Sequence, residues 1–300
     1  MHDISASIRD RIYARSREKG EDFQLLALRY AYERFLFRLS VSEHRDSCIL
    51  KGASLIGLWM SDPYRSTRDL DLLAFGPSDA SSVKRLIASI CSIQCPEDGL
   101  SFDLDGIRVE AIRETADYGG QRAKVNAVLA RAIIHLQIDI GFGDAVMPVD
   151  EEYPLILQGL PAPRLRAYPR EYVVAEKFAA MLSLGRGNSR MKDFHDLWAL
   201  SMNFPFELPS LSSAVGNSFG RRGLLLGADA PEALRPAFYE DGMLQERWTA
   251  YRKKSSSLVP PPAAFSAIGS ALGAFLSPLR QAIMMNDVPG KTWPPGGPWR

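Results

Sequence analysis

The sequence has little cysteine and no grouping of histidine with cysteine of the kind that holds a structural metal. Its three cysteines, Cys48, Cys91 and Cys95, are an odd number in 300 residues, which argues against a disulfide framework. None of its four histidines pairs with a cysteine at zinc-finger spacing. These absences argue against a disulfide-stabilised secreted module and against a zinc finger.

The sequence also lacks a strong charge of either sign and a long apolar run. Its formal net charge is +1, so any nucleic-acid binding would have to use a local basic patch. The most apolar segment, 263–279, is interrupted by serine, glycine and proline, whereas a membrane helix needs about 18 largely apolar residues. We interpret it as a packed helix. No apolar signal-peptide segment follows Met1. We expect a reduced, cytoplasmic, soluble protein with no membrane partner.

What is present is an ordinary globular composition, 46% hydrophobic and 24% charged. A chain of 300 residues is long enough for two domains of about 150 residues each. Proline recurs between residues 148 and 168, which indicates a linker or an extended crossing. We therefore predict two domains, 1–150 and 151–300. Strand patterns follow helices at 4–19 and 21–39 in the first, and helical patterns dominate the second.

Two chemically suggestive features lie close together in the first predicted domain. Gly52 and Ser54 belong to a small-residue turn that opens an apolar helix, and the N–H groups of such a turn can face a phosphate. Asp69 and Asp71 lie at i and i+2 in a predicted strand, so their carboxylates project from one face. Neighbouring carboxylates are stabilised by bridging cations, and oxygen ligands suit Mg²⁺. These are the parts of a metal-dependent phosphoryl or nucleotidyl transfer site.

A second Asp-x-Asp pair shows that this spacing alone is not specific. Asp103 and Asp105 come directly before Gly106. Because Asp-Gly is a preferred turn dipeptide, we interpret these two acids as turn chemistry at the mouth of a hairpin.

A third candidate acid, Asp139, lies in an apolar and β-branched segment. A charge there is costly without a partner. One interpretation is that its partner is the metal ion inferred at Asp69 and Asp71, since Gly141 and Gly143 would allow a ligand to approach closely. The alternative is an aspartate at a strand end that caps local N–H groups.

The second predicted domain contributes a lysine and two acids. Lys177 lies near the apolar side of a helix that begins at Pro169, and such a lysine can reach a phosphate as a point charge. Alone, it would more often be a surface residue. Asp193 and Asp196 share a helix face at i, i+3, and could serve the site or pair with surface cations. We expect the aromatic tail 293–299 to pack on this domain.

Taken together, these motifs resemble a known family. The Gly52-Ala53-Ser54 turn followed by Asp69-Leu70-Asp71-Leu72 resembles the first motif of the DNA polymerase β-like nucleotidyltransferase superfamily, with Asp139 as its third carboxylate. Segments 175–179 and 190–197 resemble later motifs of one branch, the AbiEii/AbiGii toxin family. The turn departs from the Gly-Ser of the broad superfamily because an alanine separates its glycine from its serine.

The resemblance implies an α/β fold: a polymerase β-like nucleotidyltransferase domain with a mixed sheet, followed by an all-helical C-terminal domain, with the active site in the groove between them. It implies transfer of a nucleotide from an NTP to an acceptor, the tRNA 3′ end in characterised toxins. It also implies a winged-helix antitoxin in a type IV toxin–antitoxin or abortive-infection system. The alternatives are a protein or small-molecule acceptor, or a catalytically weak protein that acts by binding its antitoxin.

The resemblance also implies a site that uses two Mg²⁺ ions. The predicted metal ligands are Asp69, Asp71 and Asp139, the predicted nucleotide contacts are Gly52, Ser54, Arg68, Lys177 and Asp196, and the predicted catalytic set adds Lys177 and Asp193 to the three metal ligands.

Overall fold

The computed structural model describes residues 3–60, 69–112, 120–143, 146–227, 229–255 and 260–300. The described residues fall into two compact units, one up to Tyr168 and one from Pro169 onwards. The first is a mixed α/β unit and the second is mainly helical, as the sequence predicted.

The first unit is built on a mixed sheet. Its strands, among the described residues, are β1 (Cys48–Lys51), β2 (Leu70–Ala74), β3 (Leu100–Phe102), β4 (Arg108–Ile112), β5 (Gly120–Leu129), β6 (Ala132–Phe142), β7 (Val149–Glu152) and β8 (Arg164–Ala167). They lie in the order β3-β5-β6-β2-β1-β8-β7, and β4 also pairs with β5. The β2–β6 and β1–β8 pairs are parallel, and the other pairs are antiparallel.

Helices pack against this sheet and define its buried face. They are α1 (Ile4–Lys19), α2 (Phe23–Val41), α3 (Ala53–Trp59) and α4 (Ala80–Cys91). Helix α2 packs against β6 and β8, and α1 and α4 pack against β5. Along β6 the inward residues Leu136, Ile138 and Ile140 are almost fully buried, whereas Gln137 and Asp139 alternate with them and are partly exposed. Because side chains alternate along a strand, the polar residues of β6 share the opposite face of the sheet.

Local sequence explains where the helices begin and end. Helix α1 ends at Gly20, which takes the left-handed conformation (φ 66°) that glycine adopts without strain. Helix α4 is capped by Asp79. The Asp79 carboxylate accepts hydrogen bonds from the backbone N–H groups of Ser81 and Ser82, so it satisfies two donors.

The proline-rich stretch 148–168, predicted to be a linker or an extended crossing, contributes the strands β7 and β8 to the sheet. Its prolines lie outside β7 and β8, so each strand keeps its backbone donors, and Leu50 of β1 pairs with Ala167 of β8. The boundary predicted between residues 150 and 151 falls inside β7, and the second unit begins at Pro169.

The second unit contains six α-helices among its described residues. They are α5 (Arg170–Leu184), α6 (Met191–Asn203), α7 (Leu208–Arg221), α8 (Pro236–Tyr239), α9 (Gly242–Lys254) and α10 (Phe265–Met285). A short antiparallel ladder of β9 (Phe206–Glu207) and β10 (Thr292–Trp293) joins them, which the all-helical expectation did not include.

The C-terminal tail and α10 pack as predicted. The indole Nε1 of Trp293 donates to the carbonyl of Ser201 at 2.7 Å, and that of Trp299 donates to the carbonyl of Phe275 at 2.8 Å. Helix α10 buries Leu272 and Phe275 in the unit. In the described ranges of the chain, no helix combines the length and the apolar character that crossing a bilayer requires.

A buried ion pair holds α2 to the segment before β3. Arg38 Nη1 lies 2.6 Å from Asp98 Oδ2, and both side chains are at most 2% exposed. Arg38 also donates to the carbonyls of Ile93 and Leu100, and Asp98 accepts from the backbone N–H of Leu100. The pair is therefore hydrogen-bonded on both sides, which buried charges require.

We expect Asp98→Ala to lower the free energy of unfolding by about 3–5 kcal/mol, because it leaves the Arg38 guanidinium buried without its counter-charge. Urea denaturation measures this change. The matched control is Arg164→Ala, which removes an exposed cross-strand pair with Glu152 and should leave the midpoint unchanged. Equal effects of the two substitutions would contradict the assignment.

Candidate active site

A row of charged residues crosses the polar face of the sheet. Lys51 of β1 lies opposite Asp71 of β2, and Asp71 lies opposite Asp139 of β6. Asp139 in turn lies opposite Arg122 of β5, and Arg122 lies opposite Glu110 of β4. Because directly paired residues project from the same face, the register alone brings two of the predicted acids side by side with two cations.

Asp71 lies against the turn that the sequence singled out. A Cβ added to Gly52 would overlap the carboxylate of Asp71, and Gly52 has a φ of +76°, which disfavours any other residue. Gly52 is therefore needed to seat Asp71, in addition to its predicted contact with phosphate.

Lys51 was not among the predicted site residues. Its Nζ lies 2.9 Å from the position that a Cβ on Gly141 would take. Gly141 was predicted to allow close approach of a ligand. The structure shows that Lys51 makes the close approach there, which places its ammonium group on β6 beyond Asp139.

Asp69 is held by Gln137 of β6, which is in turn hydrogen-bonded to Tyr32 of α2. The side-chain Nε2 of Gln137 donates to Asp69 Oδ1 at 2.7 Å. The Tyr32 hydroxyl accepts from the backbone N–H of Gln137 and donates to its carbonyl, at 3.0 and 2.9 Å. Burial raises the pKa of Tyr32 well above its usual range, and the charges of Asp69, Asp139 and Asp71 raise it further. The phenol therefore keeps its proton and stays a donor.

Asp139 has a protein partner that the sequence analysis did not identify. Arg122 donates from Nε to Asp139 Oδ1 at 2.8 Å and from Nη2 to Oδ2 at 2.7 Å. The hydrogen bonds to Asp139 raise the pKa of Arg122, so the guanidinium stays charged. Neither sequence interpretation of Asp139, metal ligand or local cap, included this cross-strand fork.

The three carboxylates turn towards different neighbours. Asp71 lies on Gly52, Asp69 bonds Gln137, and Asp139 bonds Arg122 through both of its oxygens. Within the part of the chain that the structure describes, no three His, Cys, Asp or Glu side chains are grouped closely enough to hold a metal ion. The oxygens of Asp69 and Asp71 suit Mg²⁺, whereas Asp139 is not arranged as a third ligand in this conformation.

The predicted phosphate turn contains a buried hydroxyl that needs a partner. Ser54 lies at the start of α3 and is 9% exposed, and its Oγ makes no hydrogen bond to any described residue. A buried polar atom without a partner is costly, so a ligand oxygen at this turn would satisfy it. The other predicted contact near the acids, Arg68, lies outside the described residues.

The second unit brings Lys177, Asp193 and Asp196 together. Lys177 Nζ of α5 lies 2.9 Å from Asp193 Oδ1 and 2.7 Å from Asp196 Oδ2 of α6. Both acids are at most 1% exposed, and the lysine side chain is 11% exposed. Arg190 Nε lies 2.8 Å from the other oxygen of Asp193. The two acids thus fix the lysine in place, and Asp196 is too deeply buried here to face solvent.

Comparison with known proteins identifies the family. The sequence matches the profile described as nucleotidyl transferase AbiEii toxin, type IV TA system, over residues 34–271. The chain belongs to the AbiEii family. It is therefore a nucleotidyltransferase of a toxin family, as the motifs predicted, and the family implies an NTP substrate and an antitoxin partner.

Two solved structures from Helicobacter pylori are similar to this chain. JHP933 is 15% identical, with a TM-score of 0.50, and the match covers 88% of this chain and 95% of that one. A second protein, named for a suspected nucleotidyltransferase activity, is 15% identical with a TM-score of 0.49, over 88% of this chain and 98% of that one. The likeness to JHP933 shows a shared fold. No curated protein matches the sequence.

We expect Gly52→Ala to abolish nucleotide transfer and to lower the free energy of unfolding by about 1–3 kcal/mol, because the new methyl group displaces Asp71 and strains the turn. Transfer of labelled NTP and urea denaturation measure the two effects. Gly57→Ala is the matched control, since an added Cβ there meets nothing within 4 Å and alanine favours the helix. A Gly52→Ala variant as active and stable as Gly57→Ala would contradict the role given to Gly52.

Proposed function

We propose that this AbiEii family member transfers a nucleotide from an Mg²⁺-bound NTP to the 3′ end of tRNA, and that this reaction makes it a toxin. The observation that carries the proposal is the seating of Asp71 on Gly52, in the turn that also contains the unpartnered hydroxyl of Ser54. An acid and a phosphate-binding turn in direct contact would place a metal-bound triphosphate where both can act on it.

In this proposal Asp69 and Asp71 hold the divalent cation. Both contribute hard oxygen donors, and both are positioned by contacts that do not involve a ligand, Asp69 by Gln137 and Asp71 by Gly52. When bound, the cation neutralises phosphate charge and favours the ionised form of the attacking hydroxyl. The remaining work of the protein is to position the reactants and balance their charge.

For the phosphates, this proposal keeps two of the contacts predicted from the sequence, the Gly52 turn and Lys177. The N–H groups of such a turn can face a phosphate, and the Ser54 hydroxyl, which has no partner among the described residues, can donate to a phosphate oxygen. Lys177 would contribute a positive charge to the nucleotide. Asp193 and Asp196 would orient that charge, since both lie within hydrogen-bond distance of Lys177 Nζ. We assign Asp196 to this orienting role in preference to the nucleotide contact predicted from the sequence.

The choice of tRNA as acceptor rests on the resemblance to characterised toxins of this kind. A cytoplasmic location, where NTP and tRNA meet, belongs to the same proposal. The antitoxin partner that the family implies would be a winged-helix protein encoded by a neighbouring gene.

We expect Asp71→Asn to reduce transfer from labelled NTPs to total tRNA by at least a factor of about 100, because it removes a charged ligand of the cation. Gel autoradiography with Mg²⁺ measures transfer. Asp103→Asn is the matched control: Asp103 also belongs to an Asp-x-Asp pair, but its carboxylate accepts from the Gly106 N–H in a turn, and asparagine can do the same.

Three outcomes bear on this proposal. If wild-type protein labels no tRNA but labels a protein or a small molecule, the acceptor is wrong and the transfer reaction stands. If Asp71→Asn labels as well as wild type, the metal-binding role of Asp71 is wrong. If the folded wild-type protein binds no NTP and labels nothing, nucleotidyl transfer itself is refuted for this chain.

A further inference from the structure

In the Arg122–Asp139 pair of this row, both oxygens of the acid are engaged by the guanidinium. Each oxygen of Asp139 accepts one N–H of the guanidinium, at 2.8 and 2.7 Å. Asp139 is 18% exposed and Arg122 is 32% exposed. Bidentate arginine–carboxylate pairs are rigid as well as strong, so this geometry fixes the direction of the guanidinium.

The neighbouring acids do not use all the N–H donors of Arg122. Glu110, the next acid in the row, is held by Lys124 at 2.7 Å. Arginine has five N–H donors, and Arg122 uses Nε and Nη2 on Asp139. Its Nη1 makes no hydrogen bond to any residue in the described ranges, although the side chain is partly exposed on the face that bears the acids. Donors remain for a further anion.

The position of the fork relates it to the transfer site. Asp139 is the direct β6 partner of Asp71, and Arg122 is close enough to Asp69 for that carboxylate to contribute to its electrostatic environment. A cation in this position lies beside the acids that would hold Mg²⁺. Besides the Mg²⁺ ion proposed at Asp69 and Asp71, the guanidinium of Arg122 would supply a second positive charge near these acids.

We propose that Arg122 is a phosphate-binding residue of the transfer site and that Asp139 is its positioning partner, so that Asp139 does not ligate a metal. The ligand is the triphosphate of the NTP, bound through the unoccupied donors of the guanidinium. This inference rests on the proposed function. It differs from the sequence-based prediction, in which Asp139 ligates a second Mg²⁺ ion directly.

The two assignments of Asp139 make opposite predictions for Arg122. If Arg122 binds phosphate, removing it weakens NTP binding. The alternative is that Asp139 ligates the metal and that Arg122 bonds its carboxylate only when no metal is bound. Removing the arginine would then free the carboxylate for the ion and strengthen binding of the metal-bound NTP. The sign of the effect therefore separates them.

The experiment titrates Arg122→Gln, Arg122→Lys and Asp139→Asn with the α,β-methylene analogues of the four NTPs in the presence of Mg²⁺, by calorimetry. We expect Arg122→Gln to raise the dissociation constant by a factor of about 10–100, the loss typical of a hydrogen bond to a charged group. Asp139→Asn should weaken binding in the same direction, and the double variant should be no weaker than Arg122→Gln alone, because the two residues act as one unit. Arg122→Lys keeps the charge without the fork, and its binding should be intermediate.

Native mass spectrometry of the nucleotide complex with Mn²⁺ tests directly whether Asp139 holds a metal ion. We expect the number of Mn²⁺ ions per complex to be the same in wild type and Asp139→Asn. The matched control is Arg164→Gln, which removes another cross-strand arginine–acid pair of the same sheet, the one with Glu152, and should change neither affinity nor metal count.

Unchanged or tighter nucleotide binding in Arg122→Gln, or loss of one Mn²⁺ ion in Asp139→Asn, would overturn the inference and leave the proposed function intact. If the wild-type protein itself binds none of the four analogues, the proposed function fails and this inference fails with it. Circular dichroism spectra matching wild type confirm that each variant is folded.

Discussion

The candidate active site depends on one constraint, the register of β2 between β1 and β6. This register places Asp71 opposite both Lys51 and Asp139, on the face of the sheet away from the buried residues of β6. Shifting β2 by one residue would turn Asp71 inwards and bring Leu70 or Leu72 to the polar face, where a leucine cannot bind a metal ion. The nearly complete burial of these two leucines therefore fixes the position of the acid as firmly as any contact the acid makes itself.

Each of the three acids is held by a different contact, and each contact requires a particular residue elsewhere in the chain. Asp71 needs a glycine at position 52, Asp69 needs the amide of Gln137, and Asp139 needs the guanidinium of Arg122. Of the three contacts, the one to Asp139 also balances its charge, because its partner is a guanidinium. In the second unit, two deeply buried acids hold one lysine, which follows the same rule that a buried charge must be paired.

The sequence allowed prediction of features that depend on residues a few positions apart, such as the face of a strand, a turn or a helix. The period of two predicted that Asp69 and Asp71 share a face, and the structure has them beside Gln137 and Asp139 of the polar face of β6. Asp-Gly marked Asp103 as a turn residue, and helical spacing located the helix that carries Lys177. Arg122 and Lys51 could not be recognised, because their roles come from pairing between strands that are distant in sequence. The strands β7 and β8 were missed for a related reason: each is four residues long between prolines, too short to show alternation, and the sheet defines them.

The most direct test is a crystal structure of the protein with an α,β-methylene NTP and Mn²⁺, with the metal located by anomalous scattering. We expect manganese at the carboxylates of Asp69 and Asp71, with Arg122 still forked onto Asp139 and its remaining donors on a phosphate oxygen. Manganese bound to Asp139, with Arg122 displaced from it, would contradict the proposed site, and so would a nucleotide bound away from the Gly52 turn.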